Sequence, residues 1–544
     1  MSTPGVHIAA YPYPAAGHII PLLDLTHRLL TRGLIVTVLV THDNLPLLDP
    51  YLSSHPSSLN HLILPSPDMA APQQKGFSAN MRALRDLHYP ILLQWFQSHS
   101  SPPVAILSDF FLGWTHHLAR ELGVPRVVFS PSGAFGMSVA FSMSRDPPKN
   151  DDLEKNINFP GFSANMRALR DLHYPILLQW FQSHSSPPVA ILSDFFLGWT
   201  HHLARELGVP RVVFSPSGAF GMSVAFSMSR DPPKNDDPEK NINFPVSLPR
   251  IPNSPVYPWW QVPQQYRIGE EGDPDWEFYK SNMLANTVSW GLVFNSFTEL
   301  EGVYFDHLKT ELRNDRVWAV GPVLPPEELA NRGGASSMPC HEVMTWLDSR
   351  PDNSVVYICF GSHAVLNRKQ MDVVAAALEV SGVHFILCVK FPVVHGEEPG
   401  GVILDGFKDR VDGRGLVING WAPQVTILRH RAVGAFLTHC GWNSVLEGIA
   451  ASVVMLTWPM GAEQFSNSKL LVDEIGVGIP VGGATQNMPE STELARLLRI
   501  SIVRDRPERV RAKELSDAAL AANRGGSSHQ ALDEMAKLLV DYKK

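Results

Sequence analysis

Apolar residues fall in short runs along this chain, and each run is followed by a turn and then by a stretch with helical spacing. VHIAAY (6–11) leads into a Pro/Gly turn, and the next stretch places Leu22, Leu25, Leu29 and Leu30 on one face. LIVTVLV (34–40) then starts the cycle again. Strand, helix and strand in that order predict a parallel, doubly wound α/β sheet. The cycle recurs late in the chain, where GLVING (415–420) and RAVGAFLTH (431–439) read as buried strands and NSVLEGIAA (443–451) as a helix. Between the halves, LPPEELANRGGASSMP (324–339) has the composition of a linker. The pattern therefore predicts two domains joined by that linker.

One feature breaks the pattern. Residues 76–160 recur as 161–245 with a single difference, Leu153 against Pro238, and removing one copy leaves 544 − 85 = 459 residues. Solenoids have divergent repeats and at least three units, so a recent duplication or an error in assembling the sequence explains one near-identical pair better. Each copy carries strands suited to the same slot in the first sheet. The first copy is expected to dock, because it is synthesised beside the strands it joins. The second is then expected to be an insertion exposing VAILSDFFLGW and VPRVVFS as unpaired apolar strands, a hazard for solubility.

The densest chemistry lies between Trp421 and Gln464. A turn feeding a helix start offers free backbone N–H groups and the helix dipole to an anion, here joined by His439, Asn443 and Ser444. Glu447, one helical turn on, suits two ribose hydroxyls; the Trp421 indole suits a base; Glu463 and Gln464 suit vicinal sugar hydroxyls. Gly361 and Ser362, after the apolar run SVVYICF, give phosphate oxygens room to approach. Plainer readings stand beside these: Trp and His in packing, Asn443 and Ser444 as caps, Glu447 on a solvated face, 361–362 as an ordinary turn. In the first half, His18 lies on the loop after the first strand, and Asp109 ends VAILSDF, as Asp194 does in the second copy. An imidazole that takes a hydroxyl proton, oriented by a carboxylate, is one reading; helix capping by both residues is the other.

Taken together, these segments resemble the plant secondary-product UDP-glycosyltransferases. The box WAPQVTILRHRAVGAFLTHCGWNSVLEGIAASVVMLTWPMGAEQ matches their signature over its full length, and PYPAAGHIIPLLDL, SDFFLGW, GLVFNSFTELE and WLDSRPDNSVVYICFGS match further segments. The resemblance implies a GT-B fold: two Rossmann-like domains, 1–323 and 340–525, whose parallel sheets face a central cleft, the acceptor held mostly by the first and the UDP-sugar by the second. It also implies a last helix, 526–544, that packs back on the first domain. It assigns Trp421 and Gln424 to uracil, His439, Asn443 and Ser444 to phosphates, and Glu447 to ribose. Trp442, Glu463 and Gln464 fall to the sugar, with Ala422, Gly441 and Ser362 completing the donor set. His18 becomes the base, with Asp109 as partner, or Asp194 if the second copy docks. The reaction implied is inverting transfer of a hexose, glucose by preference, from UDP-glucose to a small phenolic or flavonoid acceptor, giving a β-glycoside with no metal and no cofactor beyond the donor. The chain departs from the family at Ser452 and Val454, where Gly and Pro are usual, and has a short loop at 68–76.

Composition narrows the rest. A net charge of −8 gives no basic footprint for nucleic acid or acidic membrane surfaces. Four scattered cysteines read as reduced thiols, and no secretory signal or membrane span is evident, so a cytoplasmic monomer is expected. Two rivals remain. A duplication that disrupts the acceptor half would leave a catalytically impaired UDP-binding protein. A dinucleotide oxidoreductase is suggested only by GVGIPVGG (476–483), which lacks GxGxxG spacing.

Overall fold

The computed structural model describes residues 6–12, 19–66, 77–129, 160–183, 188–324, 338–389 and 406–542, apart from 20, 21, 24, 25, 28, 32, 110, 111, 113, 362, 363, 365 and 412. His18, Ser362 and most of the 324–339 stretch lie outside these residues, as does the Asp109 side chain.

The described residues form three parallel sheets. The first contains β1 (His7–Tyr11), β2 (Ile35–Thr41), β3 (Leu59–Leu64), β4 (Ile106–Asp109) and β5 (Arg126–Phe129), in the doubly wound order β3-β2-β1-β4-β5. β1 is buried along its length and β2 from Val36 onward, as strands covered on both faces must be. The helix Phe77–Ser98 packs Leu84, Leu92 and Phe96 against Ala9 and Tyr11. On the same helix His88 is fully buried, bonded to the Tyr11 hydroxyl and, at 2.7 Å, to the Pro65 carbonyl.

The second sheet holds β6 (Ile191–Asp194) and β7 (Arg211–Ser215) and, after a small antiparallel pair β8 (Pro245–Ser247) and β9 (Val256–Pro258), β10 (Gly291–Phe294) and β11 (Val317–Ala319). Its order is β11-β10-β7-β6. The third sheet contains β12 (Val355–Cys359), β13 (His384–Val389), β14 (Gly415–Asn419), β15 (Val433–Thr438), β16 (Val454–Thr457) and β17 (Gly478–Pro480), ordered β14-β13-β12-β15-β16-β17. This is the order that binds nucleotides beyond the carboxyl ends of its strands.

Both copies of the duplicated segment are used. β4 of the first copy pairs with β1, Tyr11 opposite Ser108, while β7 of the second pairs with β10, Val213 opposite Leu292. The expectation of a displaced second copy is therefore corrected: RVVFS as β7 is almost wholly buried. The physical reason is that the repeated strand pair has two different complementary edges, one fitting β1 and one fitting β10, and two copies satisfy both at once. The local staple is the same in each, Arg126 Nε donating to Ser108 and Arg211 Nε to Ser193. Long-range bonds differ. In the second copy Asn282 and Asn286 accept from the Trp199 N–H and Arg211 and donate to the carbonyls of Phe196 and Phe195. His173, the counterpart of buried His88, is exposed. Among the described residues β5 and β6 each end a sheet, and Leu192 on β6 is 62% exposed, so the expected open edge exists on one strand of the copy.

Packing divides the chain within the first copy, between residues 133 and 134. One compact unit takes 1–133, 325–337 and 420–423; the other takes 134–324, 338–419 and 424–544. The second copy thus packs with the strands that follow it, as the β7–β10 pairing requires.

Candidate functional site

The turn after β15 sets the geometry. β15 is buried throughout and ends at Thr438, whose hydroxyl accepts the Cys440 N–H at 3.1 Å, with Cys440 at φ 64°. The helix Trp442–Ala450 starts at once behind Gly441, with no side-chain cap on its first turn. Its leading N–H groups therefore have no partner within the helix.

The His439 imidazole is held between two glycines. A Cβ built on Gly361 would lie 2.5 Å from the ring, and one on Gly441 would lie 2.5 Å from Nε2. Gly361 also sits at φ 77°, a conformation glycine adopts freely. Its small size, read from sequence as room for phosphate, makes room for the His439 ring in the structure.

Three site residues converge through hydrogen bonds. The Gln424 amide nitrogen donates to Glu447 Oε2 at 2.7 Å and to Ser444 Oγ at 3.0 Å. Tyr357, on β12, donates to the Gln424 carbonyl oxygen at 3.3 Å and so fixes which way the amide points. Sequence reasoning missed Tyr357 because VVYIC is buried on both faces, with no alternation to show which side chain reaches the site. Asn443 is exposed beside this cluster, whereas Ser444 is buried.

Five further candidates lie nearby in the chain with different commitments. The Trp442 side chain is 3% exposed and donates its indole N–H to the Asn295 carbonyl at 2.7 Å, with Gly218 against the ring. The side chain is thus taken up in the core. Gln464 accepts from the Met460 and Gly461 N–H groups at 2.9 and 3.1 Å, closing the turn after β16, and Glu463 immediately precedes it, its carboxyl raised by burial. Half-buried Trp421 and buried Ala422 lie in 420–423, part of the first compact unit. At the family departure, Ser452 takes φ 59°, so the turn keeps the left-handed geometry glycine would adopt.

Asp194 caps the short 3-10 turn Phe195–Leu197, accepting the Phe196 N–H at 2.8 Å, which is the plainer of its two readings. Among the described residues no group of three or more His, Cys, Asp or Glu side chains is placed to hold a metal. No helix there is long and apolar enough to cross a membrane.

A six-stranded parallel sheet with a helix start, an imidazole and a carboxylate at its carboxyl ends is the build of a nucleotide-binding α/β protein. Comparison with known proteins sharpens that class. The family described as UDP-glucoronosyl and UDP-glucosyl transferase matches residues 329–498. UDP-glycosyltransferase 89B2 of Stevia rebaudiana is 46% identical over 95% of this chain and 94% of its own length. Flavonol 3-O-glucosyltransferase UGT89B1 of Arabidopsis thaliana is 44% identical over 97% of this chain and 94% of its own. The crystal structure of UGT89C1 from Arabidopsis thaliana aligns at a TM-score of 0.58 and 32% identity, covering 98% of this chain and 99% of that one. The chain belongs to the UDP-glycosyltransferase family and has its GT-B fold, as the sequence resemblance implied. It is an enzyme of sugar transfer from a UDP donor.

Proposed function

We propose that the chain transfers glucose from UDP-glucose to a hydroxyl of a flat phenolic acceptor of the flavonoid kind, with inversion to a β-glucoside. The observation that carries the donor half is the hydrogen-bonded cluster of Gln424, Ser444 and Glu447 at the carboxyl ends of the third sheet. The acceptor class is supported by the relative named for flavonol 3-O-glucosylation and by the UGT89C1 structure complexed with quercetin, 31% identical at a TM-score of 0.57.

In this reading Trp421 stacks on uracil, Gln424 meets its edge through the backbone, and Glu447 accepts from the ribose hydroxyls. The Gly441–Ser444 helix start and His439 take the diphosphate, and Glu463 and Gln464 take the sugar hydroxyls. His18 accepts the acceptor's hydroxyl proton, aided by Asp109. The freed oxygen attacks the anomeric carbon as its bond to the diphosphate breaks, and the charge that develops on UDP is met by fixed N–H dipoles, with no metal required.

Mass spectrometry of products from UDP-glucose and a panel of phenols tests the proposal; glucosides of plus one hexose are expected, and free glucose alone from every acceptor sinks it. Gly361→Ala tests the donor half separately. Its methyl would press on the His439 ring in a backbone conformation that disfavours it, so calorimetry should show UDP affinity lower by about 10-fold or more. Unchanged affinity would remove His439 from the diphosphate site.

A further inference from the structure

Cys359 and Cys388 are far apart in sequence but face each other in the third sheet, where β12 and β13 pair with these two residues directly opposite. Neighbouring strands stand about 4.8 Å apart, inside the ~4.4–6.8 Å Cα span that a disulfide bridges. Neither is in a disulfide, and they are 8% and 7% exposed. Their side chains interact: the Cys388 thiol is the strongest influence on Cys359 and holds it below the ordinary thiol range against the opposing effect of burial.

Cys359 ends β12 between two supports of the donor site, one on the strand and one just past it. Two residues before Cys359 on the same face, Tyr357 orients Gln424, and the Glu447 charge is felt at both Tyr357 and Cys359. Two residues after it, Gly361 backs the His439 ring. The other cysteines lack this arrangement. Cys440 is fully buried, with its thiol raised by burial, and Cys340 stands alone at the start of a helix.

We propose that Cys359 and Cys388 are a redox-modification site, at which a two-electron oxidant such as hydrogen peroxide closes a cross-strand disulfide that loosens the UDP-sugar site. The Cys359 thiolate attacks one peroxide oxygen, the O–O bond breaks, and a sulfenic acid and water form. The Cys388 thiolate then attacks the sulfenic sulfur, an S–S bond forms, and a second water leaves. Overall two thiols and one peroxide give one disulfide and two waters. Bringing the sulfurs to about 2.05 Å rotates both side chains and draws the strand ends together. That displaces Tyr357 and Gly361, and with them Gln424 and His439. The effect on the donor rests on the site reading above; the oxidation chemistry does not.

The test uses the full chain, treated with hydrogen peroxide and then mapped by mass spectrometry while the Michaelis constant for UDP-glucose is measured. The expected result is loss of two hydrogens, a linked peptide pair containing residues 359 and 388, and a donor Michaelis constant about 3–10-fold higher, the cost of one hydrogen bond. Dithiothreitol should reverse it, Cys388→Ser should abolish it, and Cys340→Ser should retain it. Recovery of both cysteines as alkylated thiols after peroxide overturns the site, and a linked product with an unaltered donor constant overturns the coupling. A chain that forms the linked pair but transfers no sugar even when reduced would count against the donor reading and leave the dithiol assignment standing.

Discussion

Asp109→Asn will lower transfer to a flavonol by about 10²–10⁴-fold, as His18→Ala will, while Asp194→Asn will leave it within about twofold. The two aspartates end identical strands, so only their neighbours separate them. β4 lies beside β1, Tyr11 opposite Ser108, which places Asp109 one residue beyond the carboxyl end of β1. β6 pairs with β7 alone among the described strands, and the Asp194 carboxylate is already bonded to the Phe196 N–H. Burial raises Asp194 to about 6 from an ordinary value of 3.8, the Phe196 bond and Arg211 opposing it. A carboxyl whose folded pKa is raised favours the native state in its protonated form. Its contribution is therefore full below about pH 4 and lost as pH rises through 6. Asparagine keeps the cap and never ionises, so Asp194→Asn should melt higher at pH 8 and match the parent chain at pH 4. Initial rates on the three variants, with calorimetry at both pH values, check this. Loss of turnover in Asp194→Asn with Asp109→Asn spared would reverse the assignment.

The strand and helix cycles were legible because parallel strands covered on both faces are unbroken apolar runs, and VHIAAY, LIVTVLV and RAVGAFLTH end in turns rich in Gly, Pro or His. The turn after β15 was legible as a strand, a glycine and a helix start for the same reason: they are contiguous, so Ser444 and Glu447 share a helix, and Gln424 reaches both. Contacts across parallel strands were not. Partners in such a sheet are separated by a whole crossover, so neither the Cys359–Cys388 pairing nor the Tyr357 bond to Gln424 leaves a local spacing to read. The packing of Trp442 was hidden for a similar reason, since the partner of its indole, the Asn295 carbonyl just past β10, is far away in the sequence. The fate of the two copies was equally hidden. Identical sequences carry identical propensities, and what distinguishes them is whether β1 or β10 is the neighbour.

Removing residues 161–245 should raise the transfer rate and merge the melting behaviour into one transition. In the doubled chain, β4 and β5 complete one sheet, β6 and β7 complete another, and β5 and β6 are each left at an end. β4–β5 and β6–β7 pair in the same register, Ile106 with Arg126 in one and Ile191 with Arg211 in the other. In the 459-residue chain a single strand pair can therefore meet β1 through β4 and β10 through β5, giving one continuous sheet ordered β3-β2-β1-β4-β5-β10-β11. The exposed β6 edge with Leu192 disappears, and with it a route to aggregation. Arg126 would inherit the Asn286 and Ser289 partners that Arg211 uses in the doubled chain. Catalysis depends on reacting groups held to within about an ångström, and misplacement on that scale costs up to ~10²-fold, so a gain of about 10–100-fold is expected. Scanning calorimetry, size-exclusion chromatography and rates on both chains decide it. If the full chain is monodisperse, melts in one transition and matches the shortened one in rate, the two half-sheets are no obstacle, and the second copy works as a spacer between sheets that each function as folded.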